Sequence, residues 1–478
     1  MSGGWRRIPD RVTAASAVAV AGWCIFAAYL VVQARLGPPL VWNDSTVYTA
    51  MAHRSLWSRA LWVGARPPLL PLALKAVGGG ATALVTTQAV VAALAWGTLA
   101  WTVGRLMAPG WRRVAAAFLV LGFATTFPVA LWNRSVLSES LSMSLLAVVF
   151  AGFIATARRA TWPRVAATAL ACLGFAATRD AQVWTVGLLA LVTWAYAFDA
   201  ALRHRRSALK AGVLALCLLG VVILCGWGTL SSQRTTPNTA DVLFVRVFPF
   251  PDRVAWFAAH GMPQANRIDR LAADSQATSG QAKVVGFSLS DPAFQPFERW
   301  LRLEGGHTYA LWLVTHPWYV VSEPLQRPER AFNFAQGNLD FYAPVTDPAK
   351  SPLTTLLWPP LLELLVLSAV TIYLGIVSEA WRTAPWRVVG VLTLVGMAGM
   401  LMAWHGDGQE VTRHTVEGFA EVRLGVWLLF AMGLLSLPFL DRAQGTPLAD
   451  HGEGEAAVRP PSVVEVPGSA AGDDEEGD

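Results

Sequence analysis

The stretch Asn43-Asp44-Ser45-Thr46-Val47-Tyr48, with Arg66-Pro67-Pro68-Leu69-Leu70-Pro71 behind it, carries the side chains best suited to chemistry. Asp44 is the only acidic residue between Asp10 and Glu139, and it follows a strongly apolar segment. A lone carboxylate at the mouth of a membrane-embedded protein is costly unless something pairs with it or uses it. Tyr48, His53, Arg54, Arg59 and Arg66 accompany it, a set that suits an anionic, partly apolar substrate. The competing reading is a solvated loop that caps two helices, since Asn-Asp-Ser is also good capping chemistry.

A carboxylate so placed can act as a general base towards a hydroxyl group. Planar guanidinium groups match phosphate oxygens in charge and geometry, and Arg66, Arg179 and Arg413 are the candidates, with Arg134 behind them. For any one of them the plainer role is an arginine snorkelling from a helix end to the headgroups. Glu139 opens an apolar helix, where the positive N-terminus favours a carboxylate; it could also pair with Arg134 or Arg179. Asp180 beside Arg179 could be a local ion pair. Structural support is the stronger reading for both acids. His405-Gly-Asp-Gly-Gln-Glu-Val-Thr-Arg-His414 superficially resembles a metal loop, but it fits neither the EF-hand ligand series nor a zinc spacing. No metal is expected there; Arg413 or His414 is instead expected to turn toward the site, and any need for a divalent metal stays open. No phosphate-cradling glycine loop, dinucleotide fingerprint or Ser/Cys triad stands out, and Gly78-Gly79-Gly80 reads as a flexible break.

The elements that must position these residues are membrane helices. Of the 478 residues 54% are hydrophobic and only 14% charged, too apolar for a soluble protein. All four cysteines lie inside apolar runs, which excludes a disulfide framework and a cysteine zinc site. The formal charge of +5 is not a nucleic-acid signature, because the arginines sit mostly between apolar runs. The pattern predicts an all-α multi-pass membrane protein with about ten transmembrane helices. The expected spans are roughly Val12–Leu36, Thr82–Met107, Val114–Val129, Val136–Ala157, Val165–Ala177, Gln182–Phe198, Ala211–Leu230, Leu353–Val377, Val388–Trp404 and Phe419–Leu440.

Basic residues fall in every second connection: Arg6, Arg7 and Arg11, then Arg112 and Arg113, Arg158, Arg159 and Arg164, Arg203 to Lys210, and Arg382 and Arg387. By the positive-inside rule both termini are cytoplasmic. The first loop, the turns at Trp132–Ser135 and Thr178–Ala181, the long segment Ser231–Pro352 between helices 7 and 8, and His405–Gly418 then face outward. Asp44, Arg66, Arg134, Glu139, Arg179, Asp180, Arg413 and His414 converge on one side by topology alone. Ser231–Pro352 reads as an extracytoplasmic cap, with Trp300–Val321 as an amphipathic helix at the membrane interface. The tail from Ala443 to Asp478 is rich in glycine, proline, alanine and acid and is expected to be disordered. The expected parts are therefore 1–230, 231–352, 353–442 and 443–478.

This arrangement resembles the GT-C superfamily of membrane glycosyltransferases, including the bacterial mannosyl- and arabinosyltransferase-like members. In that superfamily an acid lies in the first extracytoplasmic loop, the position Asp44 holds. Arg66-Pro67-Pro68-Leu69-Leu70-Pro71 is similar to the Arg-x-Pro-x-Tyr-Pro-like stretch of some branches. Leu137-Ser138-Glu139-Ser140-Leu141 matches a Ser/Thr-Glu-Ser-Leu element, and Thr178-Arg179-Asp180 a turn whose more usual form is Arg-Pro-Glu. The likeness covers Val12 to Phe198; many members carry two adjacent acids where this chain has Asn43-Asp44. The resemblance implies a transferase that takes a sugar from a polyprenyl-phosphate donor and passes it to an extracytoplasmic glycan, lipid or protein in the cell envelope. Asp44 would be the base, and Tyr48, His53, Arg66, Arg134, Glu139, Arg179, Asp180, Arg413 and His414 would line the substrate. The alternatives are a transporter, flippase or polysaccharide-export component, which would also use intramembrane charge, and a non-catalytic scaffold of the same fold.

Overall fold

The computed structural model describes residues 10–437 except 205–206, 233, 235, 278–290, 333–350, 407 and 409–410. The expected tail 443–478 lies outside the described residues, as do the first nine residues. The described residues are helical, with one isolated bridge and no strand.

Helix α1 (Asp10–Arg35) leads into a first loop of three short helices, α2 (Asn43–Ala52), α3 (Arg59–Trp62) and α4 (Leu69–Ala76). Then come α5 (Ala81–Gly104), α6 (Trp111–Thr125), α7 (Phe127–Ala130), α8 (Glu139–Arg158), α9 (Trp162–Ala176), α10 (Asp180–Leu202) and α11 (Ala208–Ser232). Among the described residues three further long helices follow: α12 (Leu361–Val377), α13 (Ala384–Gly406) and α14 (Val411–Leu435). Shorter helices fill the segment between α11 and α12.

Each of the ten expected spans overlaps helix, but among the described residues seven helices are long and apolar enough to cross a membrane, or eight if one bent pair counts as a single span. The third expected span is broken. Thr126 is extended and Pro128 follows, so α6 and the piece Phe127–Arg134 meet at 62°. The fifth (α9) and the eighth (α12) are short apolar helices of 15 and 17 residues. The eighth was expected from Leu353, but Pro359 and Pro360 separate the short helix Pro352–Leu357 from α12. An equally large boundary correction is at α14, which starts at Val411 rather than Phe419 and so makes Arg413, His414 and Glu417 helical.

Contacts gather at one end of the bundle the C-termini of α1, α9, α11 and α13 with the N-termini of α5, α8, α10 and α14. The first loop is fastened to this end by backbone. Leu40 pairs with Ser135, its N–H donating to the Arg134 carbonyl (2.8 Å) and its carbonyl accepting from the Val136 N–H (2.9 Å). Ser45 Oγ accepts from the Trp42 N–H (2.9 Å) and donates to the Val136 carbonyl (2.8 Å). Asp44 is thereby held beside the start of α8. Lys75 Nζ, donating to the Ala52 carbonyl (3.0 Å), and the Leu69 N–H, donating to the Ala177 carbonyl (3.3 Å), tie down the rest of the loop.

Small residues bring α14 close to its neighbours, as membrane helix packing requires. A Cβ at Gly418 would fall 2.9 Å from Met400 Cβ, one at Gly396 would fall 2.5 Å from Glu421 Cγ, and one at Gly433 would fall 3.1 Å from Leu374 Cβ. The expected cap has its own aromatic core of Phe244, Phe248, Phe257, Phe297, Trp300 and Trp312. The expected amphipathic helix is instead two, Gly306–Thr315 and Pro317–Leu325, broken at His316-Pro317. Tyr309, Trp312 and Tyr319 turn inward while Leu311, Val314, Trp318, Val321 and Leu325 are exposed.

Candidate functional site

The site is an alternating network of charge where α2, α8, α10 and α14 meet. Asp44 Oδ1 accepts from Arg66 Nη2, and Oδ2 accepts from Arg413 Nη2 at 2.9 Å. Arg413 Nε also donates to Glu139 Oε1 at 2.5 Å, so a single guanidinium bridges the first-loop acid and the α8 acid. Arg179, just before α10, lies 3.4 Å from the same Glu139 oxygen and donates to Glu417 Oε1 at 2.6 Å. Its Nη2 meets His414 Nδ1 at 2.9 Å. Tyr48 OH donates to Ser138 Oγ (3.2 Å), which donates to Glu139 Oε2 (3.4 Å).

Three carboxylates and three guanidiniums thus alternate in a row, Arg66–Asp44–Arg413–Glu139–Arg179–Glu417. Buried charges are tolerated when they are paired in this way. The set is graded in exposure: the Glu139, Glu417, Arg179 and Arg413 side chains are at most 7% exposed, Asp44 is 16% and Arg66 33%. A ligand arriving from solvent therefore meets Asp44 and Arg66 first. Burial pushes the Asp44 carboxyl up, but Arg413 and Arg66 outweigh it and hold the group below its ordinary value of 3.8. Burial, helped by Glu139, pushes the Tyr48 phenol up from its usual 10.0, which keeps it a hydrogen-bond donor at neutral pH.

Of the residues singled out in the sequence, Asp44, Tyr48, Arg66, Glu139, Arg179, Arg413 and His414 come together. Three do not. Arg134 lies over Gly37, its Nη2 3.5 Å from the Pro38 carbonyl, and secures the loop backbone. His53 is exposed at the end of α2. Asp180 pairs with Arg234 rather than with its neighbour Arg179: Arg234 Nη2 and Nε donate to its carboxylate at 2.6–2.9 Å, and Thr229 Oγ1 donates at 2.6 Å. The metal-like loop separates its histidines, His405 Nε2 meeting the Val320 carbonyl at 3.0 Å while His414 meets Arg179. Among the described residues no group of three His, Cys, Asp or Glu side chains is placed to hold a metal.

Glu417 escaped the sequence reading because the segment before Phe419 read as loop. Its spacing of four residues from Arg413 was the available signal, since such positions share a helix face. A second cluster ties the cap to α13: Arg246 donates to the Trp404 carbonyl and lies 4.1 Å from the Trp404 ring, while Trp404 Nε1 donates to Glu323. No sequence pattern marked it, because its members are 158 and 81 residues apart. An apolar groove of about 430 Å³, lined by Val20, Trp23, Leu94, Trp101, Arg113 and Leu121, lies toward the opposite ends of α1 and α5.

No family model matches the chain, and no curated protein matches it.

Proposed function

We propose that the protein is an integral membrane glycosyltransferase that takes a sugar from a polyprenyl-phosphate donor and passes it to a hydroxyl group of a cell-envelope acceptor at the outer face of the cytoplasmic membrane. The observation that carries this reading is the shared mouth of the network: the two members open to solvent are a carboxylate and a guanidinium, Asp44 and Arg66. In this reading Arg66 and Arg413 take the donor phosphate, and Asp44, released from them, accepts the proton of the acceptor hydroxyl. The hydroxyl oxygen bonds to the anomeric carbon as the bond from that carbon to the phosphate oxygen breaks. The polyprenyl phosphate departs with one more negative charge than the donor phosphodiester carried, which the arginines offset. Glu139 and Glu417 hold Arg413 and Arg179 in place, the apolar helices shelter the polyprenyl chain, and the cap between α11 and α12 closes over the acceptor.

The test compares wild type with Asp44→Asn in membranes supplied with radiolabelled polyprenyl-phosphate sugars. Loss of a general base lowers transfer by roughly two to four orders of magnitude. Equal transfer by a folded Asp44→Asn protein would reduce Asp44 to a structural partner of Arg413. The second reading, a transporter or export component, is favoured by one feature that sugar transfer does not use, a carboxyl and a guanidinium deep in α14, Glu421 and Arg423. Donor binding without turnover in both proteins would support it.

A further inference from the structure

Glu421 lies ten residues into α14, about 15 Å along the helix from its start. It is 3% exposed, and among the described residues it has neither a hydrogen bond nor an ion pair. The helices packed on α14 include α13, α12, α6 and α8. Their charged groups, Arg387 and His405, Glu363, Arg112 and Arg113, and Glu139 and Arg158, all sit near helix ends. On its own helix the nearest are Glu417 and Arg423, and Arg423 is engaged elsewhere, donating to the carbonyls of Phe332 (2.8 Å) and Pro359 (3.0 Å).

The fold makes room for this side chain. Gly396 of α13 faces it, and a Cβ there would fall 2.5 Å from Glu421 Cγ and 2.9 Å from Cδ. Glu421 also shares a helix face with the network, standing one turn beyond Glu417 and two beyond Arg413. Glu417 uses one oxygen on Arg179, while its buried Oε2 has no hydrogen-bond partner among the described residues. That open oxygen is the network's innermost acceptor.

A bare carboxylate inside a bundle is costly, so the group carries a proton or a cation. Hard metal cations need several oxygen ligands, which the absence of any acidic cluster among the described residues does not provide. We propose that Glu421 is a proton-binding site inside the bundle, and that it exchanges its proton with the charge network through the open oxygen of Glu417. The distance of one helical turn is spanned by a bridging water. The site goes beyond sugar transfer and stands whether or not that reading holds.

The full-length protein in nanodiscs tests this directly. Dicyclohexylcarbodiimide modifies protonated carboxyls in apolar surroundings, and peptide mass spectrometry at neutral pH should find the adduct on Glu421 and not on the doubly paired Glu139. Infrared spectra should show the carbonyl stretch of a protonated carboxyl that disappears in Glu421→Gln, a substitution that preserves shape. In Glu417→Gln the hydrogen–deuterium exchange of that band should slow several-fold. Absence of both the adduct and the band, or a band unchanged in Glu421→Gln, overturns the proton site. Unchanged exchange in Glu417→Gln overturns the route through Glu417.

Discussion

Arg413→Met is the most informative perturbation of the charge network. It removes the one guanidinium that touches both Asp44 and Glu139, leaving three carboxylates against Arg66 and Arg179. Asp44 keeps Arg66 at the solvent-facing lip, so its loss is partly screened. Glu139 is fully buried and keeps, beside the Ser138 hydroxyl, Arg179, which is 3.4 Å away and already held at 2.6 Å by Glu417. Breaking a buried pair by removing one partner costs about 3–5 kcal/mol, a factor of roughly 10²–10⁴ in the folded-to-unfolded ratio. Adding Glu139→Gln restores charge balance and should recover about 2 kcal/mol, a coupling that a double-mutant cycle resolves. The assay is reversible denaturation in mixed detergent micelles, comparing wild type, both single variants and the double variant. Strict additivity, or an Arg413→Met protein as stable as wild type, would refute the view that Arg413 compensates Glu139.

Other consequences concern separate parts of the molecule. Because Arg413 and Arg66 depress the Asp44 pKa below its unfolded value, its contribution is present above that value and is lost as pH falls through the folded one. Stability measured from pH 6 down to 3 should therefore show an acid-dependent loss below about pH 4 that is smaller in Asp44→Asn. Asp180→Ala should destabilise by about 1–3 kcal/mol through the loss of its Arg234 and Thr229 hydrogen bonds, yet leave donor binding within a few-fold of wild type; loss of binding would return Asp180 to the site. Gly97→Val should cost about 1–3 kcal/mol in the same denaturation assay. Trp23 lies directly against Gly97 and donates to the Ala93 carbonyl at 2.8 Å, so any side chain there displaces it.

Part of the site could be read along the chain because its members flank apolar runs. Asp44, Glu139 and Arg179 stand at turns between long hydrophobic stretches, where a charge is unexpected and therefore conspicuous. Arg413 and His414 were visible as polar residues, but their loop assignment was not sustained: the helix runs through them, and their side chains find partners on α8 and before α10. The same reasoning failed for Asp180 and Arg134. Adjacency to Arg179 suggested one partner for Asp180, whereas the approach of α11 supplied Arg234 from 54 residues away.

Composition and the period of the apolar runs determined the class of the protein, its helix order and the gathering of charges at one end, because a bilayer allows few backbone solutions and alternating helices have only two ends. The partners within that end were decided by tertiary structure. Whether Asp44 stands free or is clamped depends on a backbone pairing of Leu40 with Ser135 and on a side chain of α14, Arg413, 369 residues later. The solitary setting of Glu421 depends in the same way on Gly396 meeting it across two helices. Pairing of buried charge is set by distances of a few ångströms between segments remote in the chain, and no local pattern encodes those distances.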